Sequence, residues 1–191
     1  MSRINYMTDA QRQDFARLRA MLSDNQHVLY YVTEGATPDA ALETNEHSLT
    51  ALADLQQRGD IARVGGVDGF LPSRARQAER IRRWEDFWRG RRDSVLTALR
   101  TESVRLGFRD DAFSGFEEAV SRTWQPETLD FFAPLREAVA GNYVFERPDK
   151  TTVVNLLYLD ADRAPEVERT LNARRTESIA FDAESMTRRM I

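Results

Sequence analysis

Apolar residues recur along this chain with two periods, and the switches between them divide it. Thr8 and Asp9 stand before Phe15, Leu18 and Leu22, at i, i+3 and i+7, which predicts a short amphipathic helix ending near Ser23-Asp24-Asn25. His27 to Thr33 is dense in β-branched and aromatic residues and predicts a buried strand closed by Gly35. Thr37-Pro38-Asp39 opens a second helix, and Leu42, Leu49 and Leu52 hold one face of it until Arg58-Gly59. Ile61 to Val64 reads as a short strand running into Gly65-Gly66-Val67-Asp68-Gly69. Residues 27–64 therefore have the order and length of a βαβ unit, with a right-handed connection expected.

From Pro72 to about Ala140 the period is helical throughout, with helices predicted at Ser73–Trp88, Arg91–Leu106, Asp110–Arg122 and Pro126–Val139. The alternating period then returns. Tyr143–Glu146 and Thr151–Leu159 predict a hairpin around Arg147-Pro148-Asp149-Lys150, followed by a helix at Ala164–Arg174 and a strand at Ser178–Asp182. The expectation is one α+β domain over 1–191. Its split sheet comes from 27–71 and 141–186, and 72–140 is a helical insertion.

Composition narrows the function classes. A chain of 191 residues with 41% apolar content can bury a sizeable core as one domain. The formal net charge of -4 gives no bulk attraction to polyanions, so no nucleic-acid partner is expected. Lys150 is the only lysine among 27 basic residues, a bias that a GC-rich coding genome explains without any function. The absence of cysteine excludes disulfides, thiolate nucleophiles and cysteine metal sites. No window approaches the ~18 consecutive apolar residues of a membrane span, and Met1–Ala10 lacks the order of a signal peptide.

Taken in order, the stretches YMTDAQRQDFARLRAML (6–22), GATPDAALETNEHSLTALADL (35–55), FLPSRARQAERIRRWEDFW (70–88) and SIAFDAESM (178–186) resemble a periplasmic loop, the second of two, of MMPL-like exporters of the RND superfamily. That resemblance implies a porter domain with a ferredoxin-like split βαβ sheet carrying the helical insertion. It also implies a periplasmic location, as part of a bacterial inner-membrane protein. Its partners would be the exporter's own membrane helices, absent from this chain, and a lipid or other amphiphile exported on the proton gradient. A homo-oligomeric or accessory envelope partner stays open. Neither cofactor nor enzymatic activity is implied. On this reading the ends, before Tyr6 and after Met186, lead into membrane helices and lose order when severed from them. Two other classes stay open: a free-standing α+β ligand-binding or regulatory domain, and a small hydrolase or metalloenzyme.

Candidate chemistry is sparse. Glu43 and His47, at i and i+4, share a helix face and could give two metal ligands, but no third is visible, and a solvated helical pair accounts for them. The Gly65–Gly69 run follows a strand yet fits neither dinucleotide nor P-loop spacing, and a turn into the insertion explains it. Arg74 to Arg92 holds eight arginines against Glu79, Glu85 and Asp86, interleaved with Ile81, Trp84, Phe87 and Trp88. Such a helix can bind lipid phosphates or a partner, or it can pack Ile81, Trp84 and Trp88 inward under an arginine face. Phe108, Phe113, Phe116, Trp124, Phe131 and Phe132 follow, as the core of a small insertion or the wall of an amphiphile pocket. The substrate-binding candidates are accordingly Trp84, Phe87, Trp88, Phe108, Phe113, Phe116 and Trp124, expected to bound an apolar groove or inter-domain surface and not a polar catalytic cleft.

Overall fold

A computed structural model describes residues 8, 10, 11, 13, 14, 26–173 and 178–182. Of the N-terminal helix only its start lies among these. There the Thr8 hydroxyl accepts from the Gln11 amide at 3.3 Å and Gln11 Oε1 accepts from the Thr8 amide at 2.9 Å, a reciprocal cap. The expectation about the chain ends falls outside the described residues.

Among the described residues, five strands build one antiparallel sheet: β1 (Gln26–Gly35), β2 (Arg63–Gly65), β3 (Val144–Glu146), β4 (Thr151–Asp160) and β5 (Ser178–Asp182). Their order is β2-β4-β1-β5, with β3 also on β4. Since β1 and β2 both run antiparallel to β4, they are parallel to each other with β4 between them. By the same logic β4 and β5 are parallel and flank β1. Two β-α-β units thus interleave. The linking helices are α1 (Pro38–Gln57) between β1 and β2, and α5 (Ala164–Asn172) between β4 and β5.

Local chemistry sets these elements. The Thr37 hydroxyl caps α1 by accepting from the Ala40 amide, with Pro38 in its first turn, and Gly59 ends the helix at φ 77°. Both helices lie on one face of the sheet. Leu29, Tyr31, Leu157, Leu159 and Ala180 pack there against Leu52 and Leu55 of α1 and Ala164, Val167 and Leu171 of α5. A second cluster, Ala41, Leu42, Val67, Leu71 and Val153, extends this core toward the β3 end. Inside the layer, Asn155 donates to Asn45 Oδ1 at 2.5 Å, and the Tyr31 hydroxyl lies 2.8 Å from Ser48 Oγ and 2.9 Å from Ser178 Oγ. Buried polar groups need such partners. The opposite sheet face carries Val28, Tyr30, Val32, Val154, Leu156, Tyr158 and Phe181, all half-buried, and the exposed Ile179.

Residues 66–143 contain no strand, and three helices lead out from the sheet: α2 (Arg74–Trp88), α3 (Arg92–Arg105) and α4 (Ser114–Ser121). The last two predicted helices are corrected. Asp110–Arg122 narrows to Ser114–Ser121. Pro126–Val139 becomes a 3₁₀ turn at Leu129–Phe132, one α turn at Ala133–Leu135 and a π turn at Arg136–Ala140. Pro134, without an amide hydrogen, stands in the middle of that segment and breaks the regular ladder. The second strand is also displaced, to Arg63–Gly65 from Ile61–Val64, because Ile61 drops into the core and pairing with β4 starts after it.

Candidate functional site

The helical segment is clamped to the core at the start of α2. The buried Ser73 caps α2 by accepting from the Arg76 amide at 3.1 Å, while its own amide and hydroxyl donate to Glu46 of α1 at 2.7 and 2.5 Å. The Arg74 amide donates to Asp39 Oδ1 at 2.7 Å. Two carboxylates of α1 thus meet the positive end of α2, where unsatisfied N–H groups and the helix dipole favour negative charge. Arg76 adds an ion pair to Asp68 at 2.5 Å. On the return path, Gln77 Oε1 accepts from the Glu127 amide at 2.8 Å and its Nε2 donates to the Glu127 carbonyl at 3.2 Å. Leu129 and Phe132 then pack on the second core cluster.

Beyond this clamp α2 runs to Trp88, which is 7% exposed and the hub of a ring cluster. Trp84, Phe87 and Phe116 stand edge-on to Trp88 with centroids at 5.6, 5.2 and 5.9 Å, distances at which aromatic pairs attract beyond their area burial. Arg91 caps the Phe87 ring at 5.0 Å. Phe108 and Phe113 form a second pair at 5.3 Å, beside Gly107 at φ 74°. Trp124 is held apart: its Nε1 donates to the Ala119 carbonyl at 3.0 Å and Arg122 lies 4.8 Å over its ring. The structure therefore brings four of the seven candidates together, pairs two more and leaves Trp124 on its own.

The rings of this segment are unevenly buried. Its buried apolar side chains are few, Trp88, Leu96 and Val120, while Phe87, Phe108 and Phe131 are more than half exposed. Around the buried Trp88 the exposed rings of Trp84, Phe87 and Phe116 form a ridge. The cleft beside Trp88, of 420 Å³, is bordered by Glu85, Arg89, Gly90, Arg92 and Asp93, so its rim is charged. Across the α3–α4 contact, Arg100 donates to both Glu117 oxygens at 2.8 and 2.7 Å. This hydrogen bonding holds the Glu117 carboxyl below the usual carboxylate range and raises the Arg100 guanidinium.

The remaining candidates have simple surroundings. Glu43 and His47 are exposed on α1, in a 520 Å³ cleft shared with Arg76, Glu79, Arg80 and Arg83 of α2. Among the described residues no three histidine, aspartate or glutamate side chains converge to hold a metal. His27 Nε2 lies 3.3 Å from Asp182 Oδ2 across the sheet. The Gly65–Gly69 run is a packed turn: Val67 is fully buried, its carbonyl accepts from the Phe70 and Leu71 amides, and Gly66 lies against the Asn155 side chain. No described helix is long and apolar enough to cross a membrane. Sequence reasoning missed the clamp by Asp39 and Glu46, although their seven-residue spacing puts both on one face of α1.

No protein-family model matches the sequence, and no curated protein or solved structure is significantly similar to it.

Proposed function

We propose that this chain is a periplasmic porter module of a proton-driven RND/MMPL-type exporter in a bacterial inner membrane. In this role it helps pass or hold a lipid or other amphiphile and performs no bond chemistry of its own. The strand order β2-β4-β1-β5, with two interleaved β-α-β units, supports a ferredoxin-like core for that module. The observation that carries the functional reading is the aromatic ridge. Trp84, Phe87 and Phe116 stay 38%, 54% and 40% exposed around the buried Trp88, within reach of Arg89, Arg91 and the arginines of α2. Exposed rings supply apolar area for a tail, and guanidinium forks supply donors for an anionic or polar head.

Two tests bear on it. Read in the gene, the sequence on either side of residues 1–191 should encode membrane helices, and an isolated reading frame overturns the proposal. In the full-length exporter, Trp84→Ala and Phe87→Ala should lower export while leaving the melting temperature of the excised domain within the range of surface substitutions. His47→Ala, on an exposed face of α1, should leave export intact. Aromatic variants that lose export only in proportion to lost stability would return the ridge to a packing role.

A further inference from the structure

Buried N–H groups in folded proteins are almost always paired, so one left without an acceptor calls for an explanation. Two such donors belong to the same cleft: the indole Nε1 of Trp88, a residue 7% exposed, and the Nε of Arg92. Trp88 ends α2 and Arg92 begins α3, so the short turn between the helices sets both on the 420 Å³ cleft. Gly90 takes φ 73° in that turn, and no atom lies within 4 Å of where its Cβ would stand, which keeps that side of the cleft open. Arg91, at the cap position of α3, makes no side-chain hydrogen bond to the first-turn amides, so the helix start adds further donors. The unpaired groups are all donors, and the missing partner is an acceptor. Charge decides which kind. Arg89 is held by Asp86 at 2.7 Å, and the other charges of the rim are Arg92 against Glu85 and Asp93. A carboxylate or phosphate would meet two acids with one guanidinium to offset them. An uncharged carbonyl oxygen, with two lone pairs, accepts from both N–H groups without that repulsion.

We propose that the α2–α3 turn is a carbonyl-binding site for an acyl ester or amide. Trp88 Nε1–H and Arg92 Nε–H donate to the carbonyl oxygen, and the acyl chain lies on Trp84, Phe87 and Phe116. The site rests on the reading of the ridge as an amphiphile surface and narrows it to ligands whose acyl head is uncharged. Both nitrogens lie just beneath the surface of the cleft. Arg92 is half-buried on a long stem with many rotamers, and its outward swing admits the carbonyl. The apolar rings beside the donors hold water away, so the hydrogen bonds discriminate between a ligand that carries the acceptor and an analogue that lacks it.

The test compares monododecanoylglycerol with its ether counterpart monododecylglycerol, which has the same chain and diol but no carbonyl, each below its micelle-forming concentration. Calorimetry on the intact chain should find the ester bound about tenfold more tightly, the yield of two neutral hydrogen bonds. Dodecanoate, charged at neutral pH, should bind more weakly than the ester. A proton-nitrogen correlation spectrum holds three indole signals, one for each tryptophan. That of Trp88, identified by its loss in Trp88→Phe, should move downfield with the ester and stay in place with the ether. Arg92→Lys keeps the charge and deletes the Nε–H, and it should cut the advantage of the ester to about threefold while leaving the affinity for the ether unchanged. That variant and the wild-type indole signal carry the test if Trp88→Phe fails to fold. Ester and ether bound alike, with the Trp88 signal unmoved, overturns the carbonyl site and leaves the ridge standing. Binding of neither overturns both, and dodecanoate bound more tightly than the ester overturns the choice of an uncharged head.

Discussion

Replacing Glu46 by alanine should loosen the whole helical segment while touching none of its residues. Its carboxylate accepts from both the amide and the hydroxyl of Ser73, and Ser73 is 0% exposed, so water cannot take over either donor without opening the joint. A hydrogen bond to a charged group contributes about 1.5–3 kcal/mol, and a buried donor left unpaired costs about 1–3 kcal/mol. The two bonds share one carboxylate and Asp39 still holds the Arg74 amide, so the expected loss is about 2–3 kcal/mol and not their sum. That is a large part of the ~5–15 kcal/mol by which domains are stable, and it should show as a lower urea midpoint. Amide exchange gives the local reading: at ~1.4 kcal/mol per tenfold, 2 kcal/mol of lost protection is about a 30-fold faster exchange at Ser73. Glu46→Gln should fall between, because its amide oxygen still accepts from the Ser73 amide while its NH₂ can donate to the hydroxyl. An alanine variant with the wild-type midpoint and unchanged exchange at Ser73 would refute the clamp.

Other outcomes follow from single contacts. Gly66→Ala should lower stability by about 1–3 kcal/mol in a thermal melt, because the new methyl meets an Asn155 side chain that is pinned by Asn45 and cannot retreat. Trp88→Ala should cost about 3–5 kcal/mol, whereas Phe87→Ala, at a site 54% exposed, should stay near 0.5 kcal/mol; equal effects in urea titrations would contradict the ring hub. Leu157→Ala, at a fully buried position of β4, should cost about 2–5 kcal/mol and be detected by the same titration. The Arg100–Glu117 pair lowers the folded-state value of the glutamate. Its contribution is therefore fully present above the ordinary carboxylate range and lost as pH falls through the lowered value. In carboxyl-resolved NMR, Arg100→Gln should return Glu117 to the ordinary range, and an unchanged titration would show that the pair does not form.

The elements were legible where one residue type has one physical use. Thr37-Pro38-Asp39 opened α1, Gly59 closed it, and Arg147–Lys150 joined β3 to β4 as expected from its length. Boundaries slipped where two uses compete. Ile61 suits a strand by its branching but fills a core position, and the aromatic run after Arg122 has helical spacing until Pro134 interrupts its bonding. The clamp was hidden for another reason. Asp39 and Glu46 read as ordinary solvated acids of α1, and only the tertiary position of Ser73 gives them work. The seven aromatic candidates were picked by composition, which says how much apolar area exists and nothing of which rings meet. The apolar second face of β4 was visible in TTVVNLLYL, whose apolar residues fall on both phases of the alternation, a pattern that calls for cover on both sides.

Pairing Gly35 with Thr151 encloses α1, β2 and every helix of the excursion in one loop whose ends lie side by side. The chain entropy lost in closing such a loop grows only with the logarithm of its length, so doubling the loop costs about 0.6 kcal/mol. The sheet is nearly blind to how long the excursion is, and insertions or deletions at its exposed turns, such as Gly107, can accumulate without disturbing the strands. The same geometry sets the order of events in time. Asn45 and Asn155 must meet across 110 positions, and such distant encounters are slow. On the ribosome β1 emerges long before its main partner exists, so it must wait, with its apolar residues unpaired, until synthesis passes Asp160.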